Sequence, residues 1–350
     1  MPKKTSTFDR ASFEKEFNKR NKQFVELRNE AEYTLKKKLE LAGIKFHSIP
    51  SRIKELDSCF NKIEKYRFEK PFEQMRDFVG LRVICLFLSD IPKIDDLIKQ
   101  SFFVINSDNK IEDGDNSSFG YMSVHHIVRF GNKHKGERYD NIKNIPFEIQ
   151  VRTIAMDAWA NISHYLDYKT EQDIPIELKR DFHALSGMFY VADKHFQLFF
   201  EQRKERKEEI ANVFEKGNKD ESLAQPINLD TLIAYLANKF PKRKSPPVEK
   251  VSNYVNFLRE SSFKTIGEID EVIEKTKDAF HKFEDDNPFV FDLSKGQFSS
   301  LGVLGYSLQI YSPEHTKILL KNSRSKQIAT DGMFEFYEET FKPYRKLIKL

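Results

Sequence analysis

Apolar side chains recur at steps of three, four and seven residues through the first part of the chain, with lysine and glutamate between them. This spacing places them on one face of a helix, so residues 13–41 are predicted to form one or two amphipathic helices. Gly43 is expected to end this helical region, and residues 44–49 predict a short strand. The apolar face consists of Phe13, Phe17, Phe24, Leu27, Ala31, Leu35 and Leu39.

Helical and strand-like patterns then alternate. Strand patterns lie at residues 83–88, 102–107, 121–130 and 145–153, and helical patterns at 51–66, 90–100, 154–169 and 177–213. The run at 83–88 is almost continuously apolar, which is typical of a strand buried on both faces. Residues 110–120 are polar and contain glycine, which predicts a loop. This order predicts an α/β fold, with a mixed sheet of about five strands flanked by helices.

The polar segment 216–226 is the predicted linker between two domains. Residues 1–215 form the α/β domain, with its N-terminal helices and a helical tail. Residues 227–350 have mostly helical patterns and predict a mainly α-helical accessory or regulatory domain; residues 300–312 fit helix and strand equally well. Asp230 and Thr265 are candidate N-caps.

Composition narrows the class of protein. The 58 Lys+Arg and 54 Asp+Glu leave a net charge of +4, which permits a polyanionic partner without requiring one. No apolar run approaches the roughly 20 residues that span a bilayer, and the N-terminus lacks the apolar core of a secretory signal. Cys59 and Cys85 are too few for a disulfide framework or a four-thiolate zinc site. We therefore expect a soluble, cytoplasmic protein with no membrane partner.

Two groups of charged residues in the first half could bind phosphates and a metal ion. Arg52, Lys54 and Lys62 could point into one cleft at helical spacing and hold phosphates, although a solvated basic helix has the same pattern. Asp77 stands just before a strand whose only charge is Arg82. A carboxylate there is suited to a hard cation, and an ordinary turn aspartate explains it equally well.

Two further groups lie within predicted strands. Glu148 and Gln150 share one face of their strand, as a solvent-facing strand would also arrange them. Tyr121, Ser123 and His125 share one face of another strand, directly after the loop. An aromatic ring there offers a platform for a flat base, and packing against a helix is the alternative.

Taken together, these groups suit phosphoryl or pyrophosphoryl transfer between nucleotides. Two carboxylates can hold Mg²⁺, cations can neutralise the polyphosphate, and an acid can take the proton of an attacking hydroxyl. The sequence has no P-loop and no strand–GxGxxG–helix unit, which disfavours those nucleotide-binding classes.

Four motifs, in this order, resemble the synthetase domain of RelA/SpoT-type alarmone synthetases: SRIKELDSCFNKIEKY, DFVGLRVICLF, FGYMSVHHIV and PFEIQVRTIAMDAWANISHYLDYK. The resemblance covers about residues 24–200 and is to the small members, because no room for a hydrolase domain precedes it. It implies a nucleotidyltransferase-like fold. It also implies an ATP-dependent GDP/GTP pyrophosphokinase that moves the β,γ-pyrophosphate of ATP to a 3′-hydroxyl, making (p)ppGpp and releasing AMP, with Mg²⁺ as cofactor.

The resemblance also implies roles for individual residues. Arg52 and Arg82 would sandwich the adenine, Lys54 and Lys62 would contact the ATP phosphates, and Asp77 and Glu148 would bind Mg²⁺, with Glu148 as the base. Tyr121 would stack on the acceptor's guanine, His125 would lie near the acceptor phosphates, and Gln150 and Asp157 would read the acceptor. Ser123, Arg152, His164 and Lys169 would support the site.

One departure from the family leaves the acceptor open. Many members have a basic loop before the stacking tyrosine, whereas residues 110–121 are acidic here, with no lysine after Lys110. Some small relatives are toxins that modify the 3′ CCA end of tRNA, and Arg28 and residues 36–38 could grip its backbone. The C-terminal domain could then be a fused antitoxin or regulator that docks on the synthetase domain, bind a regulatory protein, or mediate homo-oligomerisation. A non-catalytic nucleotide-binding regulator is a further alternative.

Overall fold

The structure, a computed structural model, describes residues 9–109, 123–166, 174–287, 297–322 and 331–348. The chain divides into two compact units, Met1–Glu201 and Gln202–Leu350. The linker and domain bounds drawn from the sequence stay a prediction.

The first unit is built on a mixed sheet of six strands. Its strands are β1 (Phe46–Ser48), β2 (Ser51–Ile53), β3 (Val79–Cys85), β4 (Phe103–Asn109), β5 (Val124–Arg129) and β6 (Phe147–Thr153). Their order is β1-β3-β6-β5-β4, and β2 also pairs with β3. The pair β3–β6 is parallel and the others are antiparallel. The predicted α/β class and mixed sheet are confirmed.

Helices surround this sheet. They are α1 (Arg10–Leu41), α2 (Leu56–Tyr66), α3 (Pro71–Gln74), α4 (Asp90–Ser101), α5 (Glu137–Asp140) and α6 (Ile154–Tyr165). The side chain of Asp9 caps α1 by accepting from two backbone N–H groups of its first turn, as N-caps commonly do. All seven apolar positions predicted for this helix are buried. Gly43 follows the helix with φ +67°, a left-handed conformation that glycine adopts without strain.

The two faces of the sheet differ in chemistry. On β6, Phe147, Ile149 and Val151 are fully buried, and they join residues of α1 and α4 in one hydrophobic core. Burying each such side chain stabilises the fold by roughly 1.5–3 kcal/mol. Because side chains alternate along a strand, Glu148 and Gln150 lie on the opposite face, which we call the polar face.

Two sequence expectations for this unit are wrong in detail. Residues 51–53 form β2 instead of the start of a helix, because Arg52 pairs with Gly80 at the side of β3. The helical period belongs to α2, whose buried residues are Cys59 and Ile63. The buried strand also ends at Cys85, before the end of its apolar run.

Helices make up the regular structure of the second unit. They are the C-terminal part of α7 (Ile176–Lys216), α8 (Lys219–Leu223), α9 (Leu229–Lys239), α10 (Val248–Glu260), α11 (Ile266–Asp286), α12 (Ser300–Tyr311), α13 (Pro313–Asn322) and α14 (Asp331–Arg345). The mainly helical character is confirmed, and the ambiguous residues 300–312 are α12.

The two predicted caps of this unit have different outcomes. Thr265 caps α11 in a reciprocal capping box with Glu268, as predicted. Asn228, not Asp230, caps α9, because Asn228 and Thr231 exchange hydrogen bonds there. Within the described part of the chain, every helix is too short or too polar to cross a bilayer.

Candidate active site

Five polar residues of neighbouring strands meet on the polar face. Glu148, Gln150 and Arg152 alternate along β6. In register, Arg82 of β3 and His125 of β5 both pair with Gln150, one from each side. Gly80 pairs with Glu148 and has no side chain, so the space beside that carboxylate stays open. Three strands thus bring together residues that lie far apart in the sequence.

Glu148 is held in a hydrogen-bonded chain. Its Oε1 lies 2.9 Å from Nδ1 of His125, and Gln150 Nε2 donates to its Oε2 at 2.9 Å. The other ring nitrogen of His125 lies 2.7 Å from the hydroxyl of Ser123, a buried residue. Burial raises the pKa of Glu148. The contacts with His125 and Gln150 lower it by more than burial raises it, so the net pKa lies below its usual range. Glu148 is therefore a carboxylate at neutral pH.

Asp77 lies between two lysines. Lys54 Nζ and Lys62 Nζ donate to its Oδ2 at 2.5 and 2.7 Å. Burial raises the pKa of Asp77, and the two ammonium groups more than reverse this, leaving its pKa below the usual range. Its other oxygen, Oδ1, is buried and has no hydrogen-bond partner among the described residues. A buried carboxylate oxygen without a partner is costly, and a cation would satisfy it.

The two acids are near enough to interact. Asp77 stands just before β3, and Glu148 pairs with Gly80 near the start of that strand. The charge of Asp77 raises the pKa of Glu148. Two carboxylates that repel each other in this way are stabilised when a cation lies between them.

Two arginines lie beside Asp157 of α6. Arg82 Nη1 donates to Asp157 Oδ1 at 3.2 Å and to Asn161 Oδ1 at 3.0 Å. Arg152 Nη1 lies 3.6 Å from the same Asp157 oxygen. Burial, and then the charge of Arg82, lower the pKa of Arg152. The carboxylate of Asp157, predicted to read the acceptor, is here engaged by these arginines.

A cleft of about 320 Å³ opens on the polar face. It is lined by five predicted site residues, Arg52, Arg82, Glu148, Gln150 and His164. Sequence reasoning missed Asn161 and Tyr165, which also line it. Their signal was the helical spacing from Asp157, because residues four and eight positions apart share a helix face. Tyr165 is 89% exposed, so its ring is accessible at the cleft.

Apart from Arg152 and Asp157, the other predicted residues that the structure describes fall into two groups. Lys54, Lys62 and Asp77 form their own cluster beside Cys59, while Ser123 and His125 reach the cleft only through Glu148. Tyr121, Lys169 and the acidic loop lie outside the described residues.

The carboxylates fit a divalent metal ion whose remaining ligands come from the substrate and water. Asp77 and Glu148 supply carboxylate oxygens, and no group of three His, Cys, Asp or Glu residues forms a closed metal site within the described ranges. Mg²⁺ is commonly held by one or two carboxylates together with substrate phosphates and water. The cleft therefore combines one of these carboxylates, Glu148, with Arg52 and Arg82, which suits a polyphosphate.

Part of the chain is similar to known proteins. Residues 51–173 match the region found in RelA / SpoT proteins. The chain is 29% identical over 150 residues to the GTP pyrophosphokinase YwaC of Bacillus subtilis, covering 41% of this chain and 69% of YwaC. It is 32% identical over 134 residues to the GTP pyrophosphokinase YjbM of the same organism, covering 37% of this chain and 61% of YjbM. The chain thus spans less than two thirds of YjbM.

Two solved structures align with part of the chain. A GTP pyrophosphokinase family protein from Streptococcus pneumoniae aligns with a TM-score of 0.48 and 22% identity, covering 55% of this chain and 96% of that one. The small alarmone synthetase 1 of Bacillus subtilis aligns with a TM-score of 0.47 and 23% identity, covering 54% and 98%. The sequence matches carry this likeness: residues 51–173 of the chain are similar to the RelA/SpoT-type synthetases.

Proposed function

We propose that the chain is an ATP-dependent pyrophosphokinase that makes (p)ppGpp. It transfers the β,γ-pyrophosphate of ATP to the 3′-hydroxyl of GDP or GTP and releases AMP. The observation that carries this proposal is the position of Glu148, an ionised carboxylate in a cleft that Arg52 and Arg82 also line. The match to two GTP pyrophosphokinases supports it.

The proposed step is an in-line displacement at phosphorus. The acceptor's 3′-oxygen attacks the β-phosphorus of ATP, the bond from that phosphorus to the α,β-bridging oxygen breaks, and AMP leaves with that oxygen. Glu148 takes the hydroxyl proton. His125 holds Oε1 of Glu148 through a 2.9 Å contact, so it orients the base.

The cations have separate tasks in this proposal. Arg52, exposed and without an ion pair within the described ranges, and Arg82, held by Asp157, hold the adenine between their guanidinium planes. Lys54 and Lys62 contact the phosphates. A divalent ion, which we propose is Mg²⁺, would be held by Asp77 and Glu148 and would neutralise charge on the transferred group. Lys54 and Lys62, which donate to Asp77 in the structure, would then face the phosphates.

The acceptor is the least constrained part of the proposal. Tyr121, Gln150 and His125 are proposed to bind a guanine nucleotide. Lys36, Lys37 and Lys38 are all exposed on α1, which favours tRNA as a second candidate because clustered lysines neutralise backbone phosphates. Four further points stay predictions: a cytoplasmic location, a homo-oligomer, a role in the stringent response, and a regulatory or antitoxin role for residues 227–350.

One assay separates the candidates. Purified chain is incubated with ATP labelled in the γ-phosphate and with GDP, GTP or deacylated tRNA in parallel. Label in a guanosine nucleotide that migrates as the 3′-pyrophosphate supports the proposal. Label in tRNA replaces it with the second candidate. Labelled ATP that stays intact with every acceptor, under conditions where the chain is folded, refutes both and favours a non-catalytic nucleotide-binding regulator.

A further inference from the structure

A second cavity lies within the helical unit, remote in sequence from the residues of the candidate active site. Its volume is about 560 Å³, within the roughly 300–1,000 Å³ typical of small-molecule sites. Residues of the segment before α10, of α10 itself and of α12 line it. The matched family region ends at residue 173, so it contributes nothing to this cavity.

Two polar groups on residues that line the cavity have no hydrogen-bond partner among the described residues. The hydroxyl of Tyr254 is buried, and so is Oε1 of Gln309, a residue only 6% exposed; neither has a hydrogen-bond partner among the described residues. Both lie beside Gly305. A Cβ built on that glycine would meet the Tyr254 hydroxyl at 3.1 Å, and Gln309 Nε2 donates to its carbonyl oxygen at 3.2 Å.

The Tyr254 hydroxyl and the Gln309 amide oxygen indicate which hydrogen-bonding groups a ligand would need. A tyrosine hydroxyl can donate and an amide oxygen accepts, so a ligand needs an acceptor and a donor close together on one edge. Because buried polar groups are normally paired, leaving both unpaired next to a cavity is the signature of a site that a ligand completes.

The residues on the wall and at the mouth of the cavity indicate two further properties of the ligand. The rings of Phe298 and Tyr306 lie 4.7 Å apart on one wall, and they favour a flat apolar or aromatic body. Lys244 and Lys250 line the cavity and are exposed, with no carboxylate partner among the described residues. The N-terminal end of α12, capped by Ser299, lines it too. Both features favour an anionic group.

We propose that this cavity is a binding site for a nucleotide, separate from the active site. A purine carries an acceptor and a donor side by side on one edge of a flat ring, which matches Tyr254 and Gln309. Its phosphate would lie between Lys244 and Lys250. Adenine and guanine both present such an edge, so the test decides between them.

The test is photolabelling of the full chain with radiolabelled 8-azido-AMP, followed by mass-spectrometric mapping of the labelled peptides. Unlabelled AMP, GMP and adenosine are added as competitors. We expect label on peptides from residues 244–309, with AMP or GMP competing at least about tenfold better than adenosine, because adenosine lacks the phosphate. Label confined to residues 51–173 would overturn the proposal, and it would leave the proposed enzyme activity standing.

Point variants test the assigned contacts. Tyr254→Phe should weaken labelling of this site about three- to tenfold, the effect of one hydrogen bond, without lowering the melting temperature of the free chain, since the hydroxyl has no partner there. Tyr311→Phe, on the same unit but outside the cavity, is the matched control. Lys250→Ala should weaken competition by AMP and leave that by adenosine unchanged; Lys277→Ala on α11 should change neither. If both cavity variants label like the wild type, the site is not as proposed.

Discussion

Replacing Glu148 by glutamine separates the chemical role of this residue from its structural one. In the structure Glu148 accepts one hydrogen bond from Gln150 and contacts Nδ1 of His125. A glutamine of the same shape can keep the first contact with its oxygen and the second with its amide, if Nδ1 is the acceptor nitrogen. The variant removes the negative charge and the ability to take a proton.

The expected magnitudes differ enough to be told apart. A hydrogen bond to a charged group contributes about 1.5–3 kcal/mol and a neutral one about 0.5–1.5, so unfolding free energy should fall by about 1–2 kcal/mol. Loss of a general base lowers the rate about 10²–10⁴-fold, or roughly 3–5 kcal/mol in the barrier. A domain of ordinary stability, about 5–15 kcal/mol, would stay folded through the first change.

The assay is single-turnover transfer from labelled ATP at saturating Mg²⁺, with thermal melting measured on the same samples. Saturating metal compensates for weaker metal binding, so the remaining loss reports the base. Glu137→Gln, an exposed glutamate on α5, is the control and should transfer at the wild-type rate. A Glu148→Gln chain that melts like the wild type and transfers within about tenfold of its rate would refute the assignment of the base.

Three further variants test the neighbouring contacts. His125→Asn removes the contact that lowers the pKa of Glu148, so the acid limb of the kcat/KM–pH profile should move to higher pH; an unmoved limb contradicts this role. Lys54→Met raises the folded pKa of Asp77. As the solution is acidified, the stability that the ionised Asp77 contributes is then lost at a higher pH than in the wild type. The free energy of unfolding at pH 7 also falls by about 2 kcal/mol. Urea unfolding measured from about pH 4 to 7 tests both results. Phe78→Ala, at a ring 2% exposed that stacks on Phe24 and Phe72, should cost about 3–5 kcal/mol; a loss under about 1 kcal/mol would show that this ring is not tightly packed.

Local periodicity was enough to predict the elements that carry the core. The buried face of α1 and the alternation along β6 follow from spacing alone, because each places its apolar residues on one side of a regular element. The shared face of Glu148 and Gln150 followed from the same alternation. The sequence also paired Ser123 with His125 on one face, and the two side chains are in contact.

Several features could not be predicted from local sequence because they depend on contacts between residues far apart in the chain. Residues 51–53 continue the helical spacing of α2, yet they form β2 because the side of β3 offers backbone partners. The helical spacing places Asn161 and Tyr165 on the face of Asp157, but only the packing of α6 beside the sheet shows that this face lines the cleft. The engagement of Asp157 by Arg82 and Arg152 likewise depends on strands and a helix far apart in the chain.

The most direct test of the account is the position of a divalent ion in crystals grown with Mn²⁺ and the non-hydrolysable ATP analogue AMPCPP. Manganese scatters anomalously, so its position is measured independently of the surrounding atoms. The account predicts one peak within about 2.0–2.3 Å of a carboxylate oxygen of both Asp77 and Glu148, with analogue phosphates completing its coordination. A peak bound by neither carboxylate, or an ordered analogue in the cleft with no peak between them, would contradict the account.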